Sequence, residues 1–146
     1  MTLKYSRIER NGKKPPVPFY ATDGAAGLDL TVFGENVTVA PGGHAVVKTG
    51  ICVAIPEGHV GLIFVRSSLG VKRGITLSNS VGVIDSDYRG ELLVSLFNTA
   101  SETAVLNEGE RVAQLVVVPC PRHELFECDE LDKTDRGDGR FGSTGK

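Results

Sequence analysis

Between Val37 and Val118 the chain is a series of short β-favouring runs, each closed by a turn that contains glycine or proline. Residues 37–39 alternate valine with a polar residue, and Pro41-Gly42-Gly43 then turns the chain. Residues 45–55 are rich in Val and Ile, and Pro56-Glu57-Gly58 turns the chain again. Residues 60–65, 92–97 and 112–118 are further runs, the last following Asn107-Glu108-Gly109-Glu110. Proline lacks a ladder donor and glycine admits tight backbone paths, so both mark the ends of strands. Runs at this spacing predict an all-β sandwich, barrel or jelly roll. The 18 glycines suit that density of turns. Helix is confined to residues 67–72, where a serine caps a single turn and Gly70 and Gly74 limit its length. The start of such a helix presents backbone N–H groups to an anion.

A chain of 146 residues makes one domain with a real core. The net charge of −2 gives no global basic field, so neither nucleic acid nor a membrane surface is an expected partner. No apolar run approaches the roughly 20 residues of a membrane-spanning helix. Residues 1–18 are polar and basic and lack the apolar stretch of a secretory signal, so the expected location is cytoplasmic. The three cysteines form no paired pattern, which argues against a disulfide framework. Cys120, His123 and Cys128 lie close together, but their spacing matches no standard zinc site. Cys52, inside an apolar run, reads as a buried small hydrophobe.

The chemistry is expected in residues 78–92. Val81, Val83 and Ile84, interrupted by Gly82, read as the arm of a β-hairpin, and Gly82 marks a close backbone approach. Asp85, Asp87 and Tyr88 follow. A carboxylate at the end of an apolar strand is a candidate general base, because the scaffold fixes it and apolar walls limit its hydration. The same residues also suit an acidic turn between strands. Residues 135–146 are polar and glycine-rich with one aromatic, Phe141. They read either as a disordered tail or as a mobile lid, in which Phe stacks, Arg meets phosphate and Gly allows folding around a ligand. The Gly-Lys-Ser/Thr order of a phosphate-binding Walker loop is missing.

Five separated segments, taken in order, resemble the motifs of the homotrimeric dUTP pyrophosphatases (dUTPases). They are Ala26-Gly27-Leu28-Asp29-Leu30; Arg66-Ser67-Ser68-Leu69-Gly70; residues 79–90 with their Val-Ile-Asp-Ser-Asp-Tyr centre; Glu110-Arg111-Val112-Ala113-Gln114-Leu115; and residues 136–145. The resemblance implies a jelly-roll-like β-barrel over residues 1–132, with a flexible tail, 133–146, closing over the active site. It implies a homotrimer with shared sites and hydrolysis of dUTP to dUMP and pyrophosphate with Mg2+.

Carried over residue by residue, the resemblance makes Asp85 the general base, aiming a water at the α-phosphate. An aspartate, with an ordinary pKa of about 3.9, is ionised near neutrality. Tyr88 packs under the deoxyribose and leaves no room for a ribose hydroxyl. Residues 79–84 receive uracil, with Asn79, Val83 and Ile84 in that arm; Asn79 either ties the arm together or meets the base edge. Arg66, Ser67 and Ser68 form a phosphate-binding turn, although Val65 stands where the family often has Pro and Ser68 where it often has Gly. Gln114 either contacts phosphate or water, or is a buried hydrogen-bonding residue. Asp29 either supports Mg2+ through water or is structural. In the tail, Arg136 reaches the γ-phosphate, Phe141 stacks on uracil, and Gly142, Ser143 and Thr144 donate to phosphates; Arg140 departs from the family's usual Gly.

Two other readings are weighed. dCTP deaminases share the fold but carry a catalytic Glu where Ser95 stands here, and serine does not shuttle protons as a carboxylate does. A non-enzymatic binding barrel has no need of a positioned base, so Asp85 together with Arg136 and Phe141 speaks against it.

Overall fold

The computed structural model describes residues 2–140. The chain runs β1 (Lys4–Arg7), β2 (Phe19–Tyr20), β3 (Leu28–Thr31), β4 (Val37–Val39), β5 (His44–Ala54), β6 (His59–Val65), α1 (Ser67–Arg73), β7 (Ile75–Leu77), β8 (Gly82–Ile84), β9 (Glu91–Asn98), β10 (Ala104–Leu106) and β11 (Arg111–Pro119). The five β-runs read from the sequence are β4, β5, β6, β9 and β11, and the one short helix is α1. The fold is all-β and jelly-roll-like. Its described strands form three antiparallel ladders: β1-β5-β9-β7, β10-β4 and β2-β3-β11-β6-β8. Closure between the two larger sheets therefore comes from side-chain packing rather than a continuous hydrogen-bonded barrel.

Strand alternation builds the core. Leu92, Val94 and Leu96 of β9 are buried, as are Val47, Ile51 and Val53 of β5. They meet Leu30, Ile63, Ala113 and Leu115 from the five-stranded sheet in one cluster. Burying a Val, Leu or Ile side chain contributes about 1.5–3 kcal/mol, so this two-sheet contact dominates the fold. The β5–β9 register shifts between Lys48 and Cys52. Gly50, at φ 68°, occupies the irregularity, and a Cβ there would meet the Phe33 ring at 2.6 Å. The Gly50 N–H donates to Glu91 Oε1 at 2.7 Å, and Glu91 also pairs with Arg10. One carboxylate thus satisfies the bulge and anchors the N-terminal arm.

Three local expectations change. β8 pairs with β6, not with β7, so the segment 78–81 is a crossing between sheets rather than the tip of a hairpin. The helix N-cap is Arg66 (φ −69°, ψ 139°) and makes no side-chain cap bond; Ser67 and Ser68 lie inside the first turn with exposed side chains. Gly74 ends the helix in a left-handed conformation, whereas Gly70 lies within it. Cys52 is half-buried beside Ser6 of β1 rather than in the core.

Asn98 is a buried polar residue at the end of β9. Its amide donates to the carbonyls of Val39 (2.9 Å) and Glu102 (2.8 Å), and its Oδ1 accepts from Ala100 N–H at 2.9 Å. Replacing it leaves buried backbone groups without partners, each costing roughly 1–3 kcal/mol. Asn98→Ala is expected to lower the unfolding free energy in urea by about 3 kcal/mol; an unchanged midpoint would contradict this role.

Candidate active site

The site is laid out along β6. Leu62 lies opposite Val83 of β8, and Phe64 opposite Gln114 of β11. Gln114 in turn lies opposite Asp29 of β3, and Asp29 opposite Phe19 of β2. Directly paired residues share a sheet face, so Phe19, Asp29, Gln114 and Phe64 form one row across the outer face. Leu62 and Val83 continue that face toward Asp85.

Within this row Asp29 is 3% exposed. Its Oδ2 takes an ion pair from Arg111 Nη1 at 3.0 Å. Its Oδ1 takes Arg66 Nε at 3.4 Å and a hydrogen bond from Gln114 Nε2 at 3.3 Å. Buried charges persist when paired and hydrogen-bonded, and here both oxygens are engaged. Three of the five motifs therefore meet at one carboxylate. Within one chain Asp29 holds two guanidiniums, and the Gln114 amide donates to the same carboxylate. Its side chain has no solvent exposure within one chain and faces two cations. Arg111 was not singled out from the sequence; it stands on the same motif as Gln114, and only the fold brings it to Asp29.

Arg66 is also the helix N-cap, its carbonyl accepting the N–H groups of Leu69 (3.0 Å) and Gly70 (3.2 Å). The first-turn N–H groups of a helix lack intrahelical partners. Ser67 and Ser68 thus bring exposed hydroxyls and amides beside a guanidinium that Asp29 holds in place. That combination suits phosphate oxygens.

The second half of the site stands at the other end of β6. Asp85 follows the last residue of β8 and lines a cleft of about 770 Å3 with Val60, Val83, Asp87, Arg89 and Arg122. The expectation of apolar walls around it fails within one chain, since Asp85 is exposed. A turn follows, closed by Tyr88 N–H to Asp85 O at 3.2 Å, with Asp87 exposed inside it. Tyr88 is 41% exposed, and its hydroxyl donates to the Glu91 carbonyl at 2.9 Å. Its ring lies against Gly90, where a Cβ would come within 2.4 Å of the phenolic oxygen. Glycine at 90 is what leaves room for the phenol end of the ring. Asn79 is exposed, Val83 points outward, and Ile84 packs its side chain against the core. What Ile84 contributes to a site is therefore backbone. β8 is an edge strand, so one side of its backbone is unpaired within its sheet.

After β11 no strand or helix is present between Cys120 and Arg140. Arg136 and Arg140 are exposed there. Local turns link Gly137 N–H to Thr134 O and Gly139 N–H to Arg136 O, each at 3.0 Å. Phe141, Gly142, Ser143 and Thr144 lie outside the described residues.

A family model described as dUTPase matches residues 13–145. The chain belongs to the dUTPase family. Among curated relatives, a "Deoxyuridine 5'-triphosphate nucleotidohydrolase" of Desulfitobacterium hafniense is 47% identical over 138 residues, covering 93% of this chain and 91% of that one. The protein of the same name from Acinetobacter baumannii is 49% identical over 139 residues, covering 94% and 93%. Among solved structures, a mutant of the Staphylococcus bacteriophage 80alpha dUTPase with dUpNHpp superposes with a TM-score of 0.85 at 29% identity, covering 99% of both chains. A mutant dUTPase of Staphylococcus aureus phage phi11, described with a structural Mg(II) ion, gives 0.79 at 30% identity, covering 89% of this chain and 98% of that one.

Whether dUTPase residues here fit a Mg2+ ion is answered by the donor set. Among the described residues no group of three His, Cys, Asp or Glu side chains is suited to hold a metal. No helix among the described residues is long and apolar enough to cross a membrane.

The Asp29 node carries a prediction. Asp29→Ala leaves two guanidiniums facing each other without a counter-ion, though both are partly hydrated. The expected loss is about 2 kcal/mol in urea unfolding, less than for a fully buried pair. A variant as stable as wild type would show that the arginines do not depend on this carboxylate.

Proposed function

We propose that this chain hydrolyses dUTP to dUMP and pyrophosphate, with Asp85 as the base that activates the attacking water. The observation that carries the reading is the placement of Asp85 just past β8, on the outward face, in one turn with Tyr88, whose phenol packs over Gly90. The curated relatives described above carry the name of this activity. Asp85 takes a proton from water as the oxygen attacks the α-phosphorus. The bond from that phosphorus to the bridging oxygen breaks, and pyrophosphate leaves. Phosphoryl transfer needs little else beyond positioning and charge neutralisation. Mg2+ would be held chiefly by the phosphate oxygens of the substrate and would offset their charge, since it keeps waters and takes phosphate oxygens readily.

Uracil selection follows from β8 and the segment 79–84. The unpaired edge of β8 offers N–H and C=O groups, the same complement a partner base would offer. Cytosine presents an exchanged donor and acceptor and leaves groups unpaired, at roughly 1–3 kcal/mol each. Asn79 and Val83 flank that edge. Tyr88 supplies a flat wall for the deoxyribose, where a 2′-hydroxyl clashes. Residues 133–146 form the closing tail, with Arg136 and Ser143 toward the phosphates, Phe141 over the base and Gly142 allowing the bend.

The reading requires a second copy. Asp85 stands beside Val60, while Arg66 lies just past the other end of β6, so roughly 20 Å separates them at about 3.3 Å per residue. Consecutive phosphates span much less. Arg66, Ser67, Ser68 and Gln114 of one subunit therefore serve a nucleotide held by Asp85 and Tyr88 of another, within a homotrimer. Leu125 (95% exposed) and Phe126 (88%) in the segment after β11 supply apolar surface for such a neighbour.

Asp85→Asn is expected to lower kcat by about 10²–10⁴-fold with a much smaller change in KM. Turnover in 18O-labelled water is expected to place the label in dUMP; label in pyrophosphate would exclude attack at the α-phosphorus. Tyr88→Ala is expected to narrow the ratio of kcat/KM for dUTP over UTP by roughly tenfold or more, and an unchanged ratio counts against the steric wall.

A further inference from the structure

The segment 78–81, where the chain leaves the β7 sheet for β8, has few bonds of its own. Ser80 N–H reaches Leu77 O at 3.3 Å, and Val81 N–H reaches Asn79 O at 2.7 Å. Ser80 takes φ 65°, a left-handed conformation unusual for a residue other than glycine. A turn so exposed and so lightly bonded does not hold its place unaided.

Its first residue is gripped from outside. Ser78 N–H donates to Ser95 O at 2.9 Å. Ser95 Oγ donates to Ser78 Oγ at 2.9 Å, and Ser78 Oγ lies 2.8 Å from His44 Nδ1. His44 rests on Phe97, with ring centroids 4.7 Å apart. The three polar side chains come from β5, β9 and the end of β7, three neighbours in one sheet. A hydroxyl carries one proton. A hydroxyl also accepts through two lone pairs, so the three side chains link in sequence whichever nitrogen of His44 carries the proton.

We propose that His44, Ser78 and Ser95 form a positioning chain that sets the uracil-receiving turn, so that Ser95 and His44 tune nucleotide binding without touching the nucleotide. The proposal rests on the dUTP reading of that turn. The chain ends at Asn79, on the base-binding side of the site. Asp85 is carried separately, by β8 and β6. Loss of the chain therefore weakens binding and spares the chemical step.

Ser95→Ala is expected to raise KM for dUTP about three- to tenfold, with kcat within about twofold of wild type. Ser95→Thr, which keeps the hydroxyl on a strand that accepts β-branched residues, is expected to restore KM. His44→Phe keeps the stacking on Phe97 and removes the ring nitrogen; its effect is expected to be non-additive with Ser95→Ala. An unchanged KM in Ser95→Ala, or a fall in kcat alone, overturns the proposal. Wild-type protein that leaves dUTP intact defeats the functional reading instead. The positioning claim is then judged by amide hydrogen exchange at Ser78 and Ser80, which Ser95→Ala is expected to speed at least tenfold; unchanged exchange overturns it.

Discussion

The outer face of the five-stranded sheet depends on one fully covered carboxylate. Asp29 draws Arg66 from the end of β6, Arg111 from the start of β11 and Gln114 from the middle of β11. Without it, two positive groups would stand close together on a half-buried sheet face and repel each other. With it, the side chain of Arg66 and the first turn of α1 are held in one place. The helix is too short to be stable alone, so its position is inherited from this ion pair, from Leu69 in the core and from the left-handed Gly74 at its end. A fixed guanidinium at the start of a helix is the yield of a packing problem solved at Asp29.

The same sheet separates two tasks. β6 reaches from the helix that suits phosphates to the strand that suits a base, and it is stiff because β11 and β8 flank it. A rigid spacer of that length cannot bring its two ends to one small molecule. Within one chain, strand geometry keeps Arg66 and Asp85 apart, and Asp85 stays exposed.

How much of this the sequence revealed depends on how local each determinant is. β5, β6, β9 and β11 were legible because their inward residues alternate and turns bound them. β1, with four exposed residues, had no pattern to read; it is a strand because β5 offers it an edge. β8 was legible as an apolar arm, but its partner was not, since β6 lies beyond α1 and β7 in the chain. The serine cap was misplaced by one residue, since Arg66 takes the N-cap conformation without any cap bond. Asp85, Tyr88 and the motif order were visible as residues. Their neighbours were not: Arg111 on Asp29 and Ser95 on Ser78 meet only after distant strands have paired.

Tyr88 and Gly90 show how tightly one loop is specified. The phenol is tied to the Glu91 carbonyl and its ring occupies the space a side chain at 90 would take. Glu91 also clamps the N-terminal arm through Arg10 and closes the β5 bulge. The tilt of the ring and the departure angle of β9 are thus a single mechanical variable. A substitution that shifts the ring therefore also disturbs the carbonyl that opens β9, and neither can be moved alone.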